Sequence, residues 1–208
     1  MVEFSPTEQR LLRSLSTPPK IQDFLDTLPM NFEKKGETCY SVRSVLKHKT
    51  AHCMEGAMLA AAALRLQGKP PFVIDLKATK NDFDHVIAVF KRDGFFGAMS
   101  KTNHAVLRYR EPIYKTVREL VLSYFHEYFL PDGRKTLRSY TNPIDLSKFD
   151  RFNWMTSEDD VFDVPHALDA MKHFPILTSK QIKNLRRADR IEREAGEIIE
   201  WKVKRGRE

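Results

Sequence analysis

The sequence predicts an α+β domain in which one central buried helix packs on an antiparallel sheet, with flanking helices and a C-terminal helix. Three observations predict it. The chain opens with segments whose apolar residues recur at helical spacing. An alanine-rich run without proline follows at 51–67. Behind it, two short apolar runs are separated by Arg92-Asp93-Gly94, the spacing of a hairpin. With 208 residues, of which 41% are hydrophobic and 30% charged, the composition allows a packed core.

The elements follow in order. "SPTEQRLLRSLS" is a short helix, capped by Ser5, with Pro6 in the first turn and Glu8 three after the cap. "PPKIQDFLDTLPM" is a second, with Ile21, Phe24, Leu25 and Leu28 on one face, and "CYSVRSVLKHK" a third. The stretch from Ala51 to Gln67 contains a single glycine and ends at Gly68, a C′ residue. Its small residues, Gly56, Ala57 and Ala60 to Ala63, let neighbours approach closely, so it is the central helix. "FVIDLKA" (72–78) reads as a strand and 85–100 as a hairpin. Residues 111–129 return to helical spacing, with Val117, Leu120, Val121, Tyr124, Phe125 and Tyr128 as the apolar stripe. "LPDGRKTLRSYTNPIDL" is a loop with room for one strand, and a short helix starts near Pro165. The segment from Thr178 on reads as one helix capped by Ser179. The organisation is thus a single domain over 1–177 and a basic helical tail over 178–208.

Charge and cysteine usage exclude several classes. The longest apolar run, Ala57 to Leu64, is far too short for a bilayer, and no membrane contact is expected. The N-terminus lacks the apolar core of a signal peptide. Cys39 and Cys53 make no secreted disulfide framework, so two free thiols and a cytoplasmic location are expected. The net charge is +7, and the segment 178–208 carries ten Lys/Arg against six Asp/Glu, +4 of it. Acids interleave with these bases at Asp189, Glu192 and Glu194, so a nucleic-acid contact is not favoured over a solvated helix or a partner-helix seam of Ile182, Leu185, Ile191, Ile198 and Trp201.

The chemistry centres on Cys53. A thiol at the start of a helix meets unpaired N–H groups and the positive end of the macrodipole, which favour its thiolate. A cysteine nucleophile also needs a histidine from another rigid element and a group that orients that histidine. His85 opens the first hairpin strand. If the two strands pair around Asp93-Gly94, the end of the second lies beside His85. That brings Ser100, or the loop residues Asn103 and His104, to it. Asp82 and Asp84 are a third choice. A zinc site at His48, His52 and Cys53 lacks a fourth ligand. As a small apolar residue, Cys53 could equally be part of the core.

A cysteine opening an Ala/Leu-rich helix that ends "LRLQGKPPFVIDL", then a histidine-led strand and a hairpin to a Gly-aromatic strand, resembles the transglutaminase-like superfamily over about residues 40 to 104. The resemblance implies Cys53 as nucleophile, His85 as general base and a helix packed against an antiparallel sheet. The chain departs from the pattern at three places. It reads "TAHC" where glycine is common just before the cysteine. Phe96 stands where tryptophan is expected, and Ser100 where the orienting aspartate belongs; Asn103 is the other candidate for that role. The implied function is that of a cytoplasmic cysteine-dependent amide or ester hydrolase or acyl transferase. It would act on a peptide, protein or small amide and need no cofactor or metal. The alternative is a non-catalytic binding module of the same fold that uses its basic tail for protein or nucleic-acid contact.

Overall fold

A computed structural model of the chain describes residues 3–34 and 36–202. Local signals set the first helices. Helix α1 (Pro6–Ser14) starts with the Ser5–Glu8 capping box and Pro6 in its first turn. Thr17 caps α2 (Pro18–Thr27) and Ser41 caps α3 (Val42–His48), which ends on Lys49 in the left-handed region at φ 54°. The central helix α4 runs Cys53–Leu66, and Gly68 beyond it has φ 75°. Every residue of α4 from Met54 to Leu64 is buried, so it has no solvent face and no amphipathic stripe.

The fold is α+β, with an open, fully antiparallel sheet of seven strands: β1 (Phe72–Lys77), β2 (His85–Arg92), β3 (Phe95–Met99), β4 (Arg110–Tyr114), β5 (Ser139–Thr141), β6 (Ile144–Asp145) and β7 (His173–Pro175). The order is β4-β3-β2-β1-β5-β7, with β6 also on β1. The β2–β3 turn has Asp93 and Gly94 both at positive φ, as a two-residue hairpin needs. Both faces of the central strands are covered, which explains their unbroken apolar runs. Val86, Ala88 and Phe90 join the core around α4; Ile87 and Val89 join a second core around α5 (Val117–Phe125).

Three expectations are corrected. Residues 110–114 form the edge strand β4 and not the start of a helix. The helix begins only at Val117, because Thr116 and Glu119 make a capping box there, and Pro112 is tolerated on an edge. Tyr128 lies past the end of α5 but is still buried. The region 130–146 contributes two short strands, and β7 was not foreseen. The tail is not one helix capped by Ser179. Thr178 caps a short helix, α7 (Ser179–Lys183), and Asp189 caps another, α8 (Arg190–Gly196). Between them sits a non-helical stretch in which Ala188 N–H donates to Gly133 O at 2.9 Å. Leu185 packs on the α5 core, while Ile191 and Ile198 are exposed, so no continuous apolar seam forms. A 3₁₀ helix (Leu146–Phe152) and α6 (Asp163–Asp169) lie between β6 and β7. Among the described residues no helix is long and apolar enough to cross a membrane.

Candidate active site

The site starts with the way α4 begins. His52 occupies the N-cap, where its ring Nδ1 accepts from Met54 N–H at 3.2 Å. Glu55, three residues on, accepts from His52 N–H at 2.8 Å. This reciprocal pair fixes Cys53 as the first helical residue, half-buried at the positive end of the helix. Burial alone would push the Cys53 thiol up. Hydrogen bonds with His52 and His85, and the charge of both rings, outweigh it and hold the thiol well below the usual range. Cys39 is the opposite case: it is buried, and that burial together with the carboxylates of Glu55 and Asp160 pushes its thiol up. Both cysteines are free.

His85 comes from the first position of β2 and is buried. Its Nε2 lies 2.7 Å from Ser100 Oγ. Ser100 Oγ in turn donates to Leu107 O at 2.5 Å, and a carbonyl can only accept. The hydroxyl proton is therefore committed, and Ser100 accepts from His85 Nε2–H. That leaves His85 Nδ1 as the nitrogen able to meet the thiol. Ser100 is itself clasped by Gln22 of α2, whose amide accepts from Ser100 N–H and donates to Ser100 O, both at 2.9 Å.

Asn103 faces a different partner. Its amide donates to Trp201 O at 2.9 Å and accepts from Trp201 N–H at 2.8 Å. Glu200 N–H donates to Asn103 O and Ala105 N–H to Ile198 O, both at 2.9 Å, and His104 bridges Ile199. The last described residues thus lie against the loop that follows Ser100. Asp84 accepts from Ala78 N–H at 2.8 Å and pairs with Lys77 at 2.8 Å, while Asp82 accepts from Thr136 Oγ1 at 2.5 Å. His48 stacks on Tyr40, ring centroids 4.9 Å apart. Among the described residues no group of three or more His, Cys, Asp or Glu side chains is arranged to hold a metal ion.

The second histidine is more enclosed than the sequence suggested. His52 Nε2 donates to Thr38 O at 3.0 Å and lies 3.4 Å from Glu55 Oε1. Burial works against a charged His52 ring, but its hydrogen bond to Cys53, the sulfur's charge and Glu55 carry it up to about 9. Glu55 is fully buried, and its spacing from His52 is a capping-box signal legible in the sequence. Gln22 carried no such signal, because its partner lies 78 residues away in the chain. Lys101, also fully buried, donates to Leu28 O at 2.5 Å and packs directly on Gly56 of α4. Tail bases are engaged with nearby acids: Arg190 meets Glu194 at 2.6 Å and Arg186 meets Asp189 at 3.6 Å. No protein-family model matches the chain, and no curated protein matches it in sequence.

Proposed function

We propose that the protein is a cysteine-dependent acyl-transfer enzyme of the transglutaminase-like class, acting on an amide or ester carbonyl in a reducing compartment such as the cytoplasm. One arrangement carries the reading: Cys53 opens a buried helix, its thiol is held down by His52 and His85, and the Nε2 of His85 is held by Ser100. In this reading the thiolate attacks the carbonyl and forms a thioester. N–H groups of the first turn of α4, that of Cys53 included, receive the oxyanion. His85 protonates the leaving amine or alcohol and then takes a proton from the water or amine that releases the acyl group. Ser100 supplies orientation without charge. Asn103, taken up by Trp201, has no part in it. The binding-module alternative is less well supported, because Arg186 and Arg190 of the tail pair with neighbouring acids and residues 198–201 lie against the loop after Ser100.

The test is site-resolved alkylation. With iodoacetamide near neutral pH and peptide mass mapping, Cys53 of the folded protein should react at least tenfold faster than Cys39, since a depressed thiol supplies far more thiolate. Equal rates, or a faster Cys39, would remove the nucleophile.

A further inference from the structure

Two imidazoles, those of His52 and His85, lower the Cys53 thiol, and they are backed differently. His85 rests on the neutral hydroxyl of Ser100. His52 rests on a carboxylate, with Nε2 3.4 Å from Glu55 Oε1. The hydrogen-bond partners of that carboxylate are all donors. Asn31 Nδ2 reaches both oxygens at 3.1 Å, Tyr40 N–H reaches one at 2.9 Å, His52 N–H the other at 2.8 Å, and Thr38 Oγ1 adds a longer contact at 3.4 Å. Burial pushes the Glu55 carboxyl above its ordinary value, and this donor shell together with the charge of His52 works against that push and favours the ionised form. His52 Nε2–H is committed to Thr38 O and Glu55, so Nδ1, which accepts from Met54 N–H at the helix start, is the nitrogen that can take up a proton.

We propose that His52 is a second catalytic histidine: in the resting enzyme it takes the proton of Cys53 and, backed by Glu55, holds the thiolate as its imidazolium, and it yields that proton to His85 when His85 protonates the leaving group. This rests on the reading of Cys53 as nucleophile. The step moves one proton from Cys53 Sγ to His52 Nδ1, and no other covalent bond changes. In the neutral ring Nδ1 accepts from Met54 N–H. The transfer releases that N–H from the ring. The negative charge that a carboxylate behind His85 would lend thus enters through Glu55 and His52. The remaining charged or titratable neighbours are few. Glu33 Oε1, 4.0 Å from His52 Nε2, also favours the imidazolium. His85 competes for the sulfur. Cys39 and Tyr128 are pushed up by burial first, and further by the charge of Cys53, and stay neutral.

The experiment is the pH profile of iodoacetamide alkylation at Cys53 in the full chain. The variants are His52→Asn, Glu55→Gln and His85→Asn. Asparagine is a preferred helix cap, so His52→Asn keeps the start of α4 while removing the cation. In the wild type the midpoint should lie well below the free-thiol value of about 8.5. His52→Asn should move it up toward that value, Glu55→Gln part of the way, and His85→Asn should leave it lower than His52→Asn does. A midpoint unchanged in His52→Asn would reduce His52 to a helix cap and overturn the proposal. So would a profile set by His85 alone. If His52→Asn does not fold, His52→Gln and Glu55→Gln carry the same comparison. A wild-type midpoint at the free-thiol value would fell the nucleophile reading itself.

Discussion

At Ser100 one oxygen serves two neighbours. It accepts from His85 and donates to Leu107 O, so its orientation is fixed by the loop it sits on and not by the histidine. Removing it should loosen the imidazole without moving the thiol. A net hydrogen bond of this kind contributes about 0.5–1.5 kcal/mol, and 1.4 kcal/mol is roughly tenfold. Ser100→Ala should therefore slow Cys53 alkylation near neutral pH by at most about two- to tenfold, and by less than His52→Asn does. A loss as large as that of His85→Asn would show that the loop had collapsed, and no loss would show that His85 needs no support. Aspartate does not fit the same place simply, because a carboxylate cannot donate to Leu107 O. The meeting of His85 with Ser100 was legible in the sequence, because the Asp93-Gly94 turn dictates the hairpin. The hold of Gln22 on Ser100 was not, because a glutamine on an apolar helix face names no partner.

Among the elements, α4 is the one whose position decides the site. It is buried from Met54 to Leu64, and at Gly56 a Cβ would lie 2.4 Å from Lys101 Cβ. Lys101 follows Ser100, so crowding at Gly56 is transmitted to the residue under His85. Two effects oppose each other in Gly56→Ala. Alanine improves helix propensity by about 1 kcal/mol, and overpacking of this kind costs about 1–3 kcal/mol. The clash is main-chain-proximal, so overpacking should win. Urea unfolding should show a net loss of about 1–2 kcal/mol, with slower alkylation of Cys53. A more stable variant would mean that Lys101 yields easily. Elements with local signals, such as α1 and the hairpin, were legible from caps and turns, whereas α4, read as starting at Ala51, begins two residues later at Cys53. The strands β4, β5, β6 and β7 were not. They have two to five residues each and are stabilised by pairing with distant partners, while Pro112 and the helical stripe that follows argued for another reading.

For the molecule as a whole, the last described residues return to the site from nearly 100 positions away. Asn103 clasps Trp201 at both main-chain atoms, and Arg108 pairs with Glu200 at 3.1 Å. This returning segment braces the loop that holds Ser100 and Leu107. Deleting Ile198 to Glu208 should leave a cooperative melt lowered by only a few degrees, since about 1 kcal/mol shifts a chain of this size by roughly 2–4 °C. Cys53 alkylation should slow toward the Ser100→Ala rate. Unchanged reactivity would mean that the brace is not needed. No periodicity in the tail announced this path, because its anchors are main-chain groups and one amide. The sheet it lies beside has a consequence of its own. Both outer strands are short, and each contains a proline, Pro112 in β4 and Pro175 in β7. Proline offers no N–H, so neither border presents an unbroken row of donors to a stranger's strand. A second copy approaching β4 or β7 therefore meets a gap in the row of donors where it would need one to extend the sheet.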